Sequence, residues 1–259
     1  WTNLELVWLL AVQNLAYLPG VIGLKLVTRA QVPLKLRWSR EVALGLLKES
    51  YPLGLASLFT LAYVKVDILM LAVMRGDDAV GIYSAAYRLV GSLTILPMAI
   101  IGSTFPLIAQ YARTAPEALP RIFQRSLNII MMLAFPIAIG GMVLAREIIV
   151  TVYGMRFVES TLVFSVLSWA VSVSFISYFL TSALNAMDRQ RSYLALTAGM
   201  TLLNLGLNFF WIPRYGFVGA SVATLITECV LMLLCLRLLV PCLKDLMLAP
   251  FIKFALAAG

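Results

Sequence analysis

The 259-residue chain contains no histidine, and only 12% of its residues are charged. Without histidine it lacks the commonest general base and the commonest metal ligand. Its three cysteines, Cys229, Cys235 and Cys242, follow no zinc or redox spacing and read as small apolar side chains. The charged fraction is about half the ~25% usual in a soluble domain, while hydrophobic residues make up 62%. A chain so poor in charge and so rich in apolar side chains is an integral membrane protein. It also lacks the two-residue alternation of an outer-membrane barrel, so the fold class is all-α: a polytopic transmembrane helical bundle.

Apolar runs of roughly 20 residues, long enough to cross a ~30 Å hydrocarbon core, recur along the whole length. They read as Leu4–Leu26, Tyr51–Met74, Val80–Tyr111, Ile122–Ala145, Thr161–Ala186, Ser192–Ile212 and Phe217–Val240. A further crossing begins near Met247 and is cut by the end of the chain, and Trp1 stands at the mouth of a helix, so the chain reads as a fragment. The longest polar interruption holds Pro33 and a weakly amphipathic run with Trp38, Val42 and Leu46, which suggests a linker ending in an interfacial helix. The expected organisation is therefore 1–27, the last helix of a preceding lobe; 28–50, a linker; 51–240, a six-helix lobe; and 241–259, the start of another helix. Short loops make neighbouring helices antiparallel. Prolines 19, 52, 97, 106 and 136 lie within or at the ends of crossings, and the pair Pro97 and Pro106 predicts a bent helix.

The net charge of +8 does not point to nucleic acid, because the basic residues are dealt out by loop. If the linker 28–50 is cytoplasmic, most of the loop Lys and Arg share its side and only Arg75, Arg146, Arg156 and Arg214 lie opposite. That positive-inside bias fixes the expected orientation in a cytoplasmic membrane.

Four charges, Lys65, Asp67, Arg88 and Glu228, stand inside the apolar runs, where each costs at least ~2.5 kcal/mol by insertion scales. Asp67 and Arg88 fall at one depth on adjacent antiparallel helices, so a structural ion pair is one reading and a functional role the other. Lys65 is ~200° around its helix from Asp67 and cannot share that pair. It either snorkels or faces a wet interior where it meets an anion. Polar stripes at helical spacing mark the later crossings: Ser165, Ser168 and Ser172; Tyr178, Ser182 and Asn185; Thr197, Thr201, Asn204 and Asn208; Ser221, Thr224 and Glu228. Such stripes serve either as packing glue or as the wall of a hydrated cavity. Glu228 is then either paired with Lys65 or available to a proton or cation.

The run from Asn185 to Arg191, with Asn204, Asn208, Ile212-Pro-Arg-Tyr-Gly216-Phe-Val-Gly219-Ala220 and Glu228, resembles the oligosaccharide-lipid flippases, polysaccharide biosynthesis membrane proteins of the multidrug and oligosaccharide exporter superfamily. Val66-Asp67-Ile-Leu-Met-Leu and Val80-Gly81-Ile-Tyr83-Ser-Ala-Ala-Tyr87-Arg88 are similar to the hairpin that opens that family's second half. The resemblance implies two six-helix lobes around a cavity of alternating access, of which this chain holds the second lobe and flanking helices. It implies a non-enzymatic flippase of a bacterial or archaeal cytoplasmic membrane, carrying a polyprenyl diphosphate-linked oligosaccharide such as an O-antigen or exopolysaccharide repeat unit. Partners would be that lipid-linked oligosaccharide, membrane lipids and the missing N-terminal lobe, with no cofactor beyond a possible coupling H+ or Na+. Lys65 and Arg88 are then expected at the phosphates, Asn185, Asn204 and Asn208 at sugar hydroxyls, and Asp67 and Glu228 in ion coupling. A cation-coupled multidrug antiporter of the same superfamily is the nearest alternative. A glycan polymerase or ligase would need a large outer loop with catalytic side chains, and a scaffold subunit has no use for buried charge beyond a structural pair.

Overall fold

The computed structural model describes residues 39–239, together with Pro19, Gly20 and Gly23. The helix expected at Leu4–Leu26, Trp38 and most of the linker, Cys242 and the crossing from Met247 lie outside the described residues. The chain forms two compact units, 1–49 and 50–259, and the second carries every charge of interest.

Among the described residues the structure is helical throughout. α1 spans Arg40–Arg75, α2 Asp77–Ser92, α3 Ile95–Thr114, α4 Leu119–Val143, α5 Ala145–Tyr153, α6 Ser160–Ala186 and α7 Gln190–Leu239, with 3-10 turns at Pro116–Ala118 and Met155–Phe157. Five of these segments, including Ser50–Arg75 of α1, are long and apolar enough to cross a membrane. α7 is two crossings in one, because Gly216 adopts φ 57° and ψ −135°, a conformation open to glycine alone. The two arms pack so closely there that a Cβ on Gly219 would lie 2.6 Å from the Trp211 carbonyl oxygen. Arg75, at the end of α1, donates to the carbonyls of Ile212 (3.1 Å) and Pro213 (2.5 Å), groups that a helix end leaves without partners.

The crossing read as Val80–Tyr111 is two helices, α2 and α3, joined by tight turns at Leu93 and Thr94. Pro97 explains the position: its ring clashes with the carbonyl four residues earlier, at Leu93, so the helix opens there. Pro106 and Pro136 remain inside helices. The stretch from Arg146 to Glu159, which lies between the crossings read as Ile122–Ala145 and Thr161–Ala186, is largely helical; α5 tucks Ile149 fully into the core.

α6 is the central post, packed against α2, α3, α4, α5 and α7. It is 67% buried over its apolar window, against 11% for α1 and α3. Its serines are small enough for close helix contact, and Ser168, Ser172 and Thr181 turn their hydroxyls back to carbonyls one turn earlier at 2.7–2.8 Å. That leaves the Ser165–Ser168–Ser172 stripe serving packing, since its hydroxyls are satisfied within the helix. Phe123 of α4 meets Phe179 of α6 edge to face at 5.4 Å, beside the fully buried Leu127, Ile130 and Leu180.

Candidate functional site

The inward-facing polar residues of α1, α2 and α7 meet at Asp67, which is 4% exposed. Tyr83 of α2 donates its hydroxyl to Oδ2 at 2.7 Å, and Thr224 Oγ1, from the second arm of α7, lies 2.6 Å from the same oxygen. From the first arm, Asn208 Nδ2 donates to Oδ1 at 2.6 Å and to Asn204 Oδ1 at 2.9 Å. The convergence follows from the turns. Asn208 and Thr224 stand equally far before and after Gly216, while Asp67 and Tyr83 stand at similar distances on either side of Gly76, so antiparallel arms bring all four to one depth.

Glu228 lies one helical turn past Thr224, ~6 Å along the axis, and is 3% exposed. Tyr63 of α1 donates to its Oε1 at 3.0 Å, and Oε2 is buried with no hydrogen-bond partner. Asp67 and Glu228 both line one cavity, with Tyr63, Tyr87, Ser174 and Tyr178 among the other walls. Its interior leaves about 70 Å³ for the centres of water-sized molecules, where ~10–15 Å³ holds one water.

Arg88 does not pair with Asp67, because Tyr83 is the residue of α2 that faces Asp67 and Arg88, five positions later, is ~140° around the helix. Glu228 does not pair with Lys65 either. Lys65 lies ~200° from both Tyr63 and Asp67, two side chains of α1 turned inward, and is exposed on the outside of the lobe. Among the described residues the ion pair is Arg113–Asp188, at 2.9 Å and exposed.

The outward faces differ. Lys65 sits in a stripe of Leu58, Leu61, Leu69 and Val73, each more than half exposed. Arg88 sits in a stripe of Gly81, Ser84 and Ser92, small or polar residues at the lobe surface. Asn204 and Asn208 are fully buried around Asp67. Asn185 is elsewhere: seven residues beyond Tyr178, ~10 Å further along α6, it lies at the Asp188 turn with its Oδ1 buried and without a partner. The assembly thus joins Asp67 to Asn204 and Asn208, sets Glu228 beside them, and leaves Lys65, Arg88 and Asn185 apart. Tyr63, Tyr83 and Thr224 are partners of the carboxylates that sequence reasoning did not assign to them. Their signal was the shared distance from Gly76 and Gly216.

The described residues thus form an all-α, polytopic membrane lobe with ionisable groups in its interior. It matches a MOP superfamily transporter from Pyrococcus furiosus with a TM-score of 0.66 at 17% identity, over 80% of this chain and 47% of that one. It matches a multidrug resistance MATE family transporter, solved in an outward-facing conformation, with a TM-score of 0.65 at 17% identity and the same coverage. The sequence profile described as "Polysaccharide biosynthesis protein" matches residues 3–162, more than half of the chain. The chain belongs to that family. In Haloferax volcanii it is similar to the probable flippase AglR, 29% identical over 73% of this chain and 40% of that protein. The probable low-salt glycan biosynthesis flippase Agl15 is 24% identical over 62% of this chain and 34% of that protein. The chain therefore spans well under half the length of either relative.

Proposed function

We propose that this chain is the second lobe of a flippase that moves a polyprenyl diphosphate-linked oligosaccharide across the cytoplasmic membrane by alternating access, with no bond made or broken. The observation that carries the reading is Arg88 on a small, polar stripe of a membrane helix. Lipid tails offer such a stripe nothing, whereas a hydrated chamber shared with a facing lobe suits it. A diphosphate head group cannot cross hydrocarbon with its charge uncompensated. A guanidinium on a wet wall replaces part of its hydration with charge-assisted hydrogen bonds. Lys65 is a second, weaker contact reached by its long stem, and Asn185 would meet sugar hydroxyls at the end of the lobe opposite the turns at Gly76 and Gly216. The similarity to two probable flippases supports this cargo class over a drug.

Ion coupling falls to the carboxylates. Around Asp67, Asn208 Oδ1 and Asn204 Nδ2 are buried without partners, so the amide network is not closed. Turning the Asn208 amide gathers Asp67, Asn208 Oδ1, Asn204 Oδ1 and Thr224 Oγ1 into an all-oxygen cage, the ligand type a hard cation such as Na+ takes. An ion bound better in one cavity orientation biases the cycle by that difference in affinity. The test is flipping of a polyprenyl diphosphate sugar by the full-length protein in liposomes under imposed Na+ or H+ gradients. Head-group translocation driven by a gradient, and uncoupled from it by Asp67→Asn, is expected. Export of a cationic drug with no movement of the glycolipid would replace this reading with the antiporter.

A further inference from the structure

We propose that the turn joining α6 to α7 docks the diphosphate of a membrane-resident lipid, held by Arg191 and Arg237. The two ends of the lobe differ in charge. At the end with the turns at Gly76 and Gly216, Arg75, Arg146, Arg156 and Arg214 are balanced by Asp77, Asp78, Glu147 and Glu159. Within residues 50–239 the opposite end carries Arg113, Arg121, Arg125, Arg189, Arg191 and Arg237 against only Glu117 and Asp188. Such a bias orients a membrane protein wherever the charges fall near helix ends, and does not require that any of them be gathered at one turn. Here they are gathered. Arg113, at the end of α3, reaches the Asp188 carboxylate at 2.9 Å, so the one acid of the turn is already paired. Arg189 donates to the Leu238 carbonyl at 3.1 Å, which draws the end of the second arm of α7, with Arg237, against the turn that carries Arg191. Arg191 and Arg237 are both exposed, and among the described residues neither meets a carboxylate. Two guanidinium groups brought together without a counter-charge favour an anion between them.

Position and charge define that anion. Ala186 ends α6 and Gln190 opens α7, two helices of membrane length, so the turn stands at the level of lipid phosphates. Two guanidinium charges match a diphosphate diester, which carries two negative charges where a phosphodiester head group carries one. Each planar fork takes phosphate oxygens in pairs. Asn185, whose buried Oδ1 lacks a partner, closes α6 just before this turn and gives an attached sugar an acceptor beside its phosphates.

The inference rests on the glycolipid reading of the cargo and adds a contact away from the Arg88 wall. Its test is labelling, so its failure is separate from any failure of flipping. A polyprenyl diphosphate with a photoreactive group beside the diphosphate is cross-linked to the full-length protein in phosphatidylcholine liposomes, and the labelled segment is identified by mass spectrometry. Label around Arg191 is expected, reduced about tenfold by Arg191→Ala with Arg237→Ala and unchanged by Arg146→Ala with Arg156→Ala at the opposite end. Undiminished label in the first variant, or an equal loss in both, overturns the site. So does displacement by phosphatidylglycerol as effective as by unlabelled polyprenyl diphosphate, which would make the turn a contact for bulk anionic lipid. Should the first variant not fold, Arg191→Gln alone, at an exposed position, should lower the label several-fold, and no change there overturns the site as well. Specific label in a protein that moves no glycolipid would leave the site standing and sink the flippase reading.

Discussion

One hairpin carries two outward cations in opposite settings. On α1, Lys65 is flanked by leucines and a valine; on α2, Arg88 is flanked by glycine and serines. Both are charges at membrane depth, yet only the α2 face is one that hydrocarbon would reject. The difference teaches that an intramembrane charge marks a pathway through the company it keeps on its own helix face, and that charge alone is a poor guide.

The comparison can be broken most forcefully at Arg88. Arg88→Ala removes a charge-assisted contact of ~1.5–3 kcal/mol, so glycolipid flipping in liposomes should fall about 10–100-fold with membrane abundance unchanged. Equal loss of protein and activity would assign Arg88 to folding. A next sharper test keeps the charge and spoils the stripe: Ser84→Leu should cut flipping several-fold through lost hydration of the wall, while Leu61→Ser on α1 should leave it near wild type. A smaller effect is expected from Lys65→Ala, a loss of less than ~1 kcal/mol of cargo affinity because its ammonium reaches head groups only by extending its stem along a leucine face, read as a modest rise in KM. If Lys65→Ala proves more damaging than Arg88→Ala, the ranking of the two faces is reversed. Smallest of all should be the exposed Arg113–Asp188 pair at the other end of the lobe. A double-mutant cycle on thermal stability should give a coupling of ~0–1 kcal/mol.

Much of this was legible in the chain. The membrane-length helices and the reversal at Gly216 follow from apolar run length and glycine, and Pro97 and Pro106 foretold a bend, though not the division of Val80–Tyr111 into α2 and α3. Depth is linear in sequence, so the shared level of Asp67, Asn208 and Thr224 could have been counted from Gly76 and Gly216. Azimuth is not. Arg88 and Tyr83 lie within two turns on α2, and only the packing of α2 against α1 decides which of them meets Asp67. The same limit hid the outward turn of Lys65 and the inward turn of Tyr63. α5 was missed for another reason: Arg146 and Glu147 open it with charge and Gly154 closes it after only nine residues, so the apolar run that seats Ile149 in the core is too short to read as a crossing.

Thiol accessibility at positions 65 and 88 tests the claim most directly. In a full-length protein whose native cysteines are replaced by alanine, Arg88→Cys in intact membranes should react with a charged, membrane-impermeant thiol reagent and be protected by the glycolipid. Lys65→Cys should react far more slowly, and with lipid-soluble reagents first. An Arg88→Cys thiol that only lipid-soluble reagents reach would place that face against acyl chains and contradict a hydrated wall on α2.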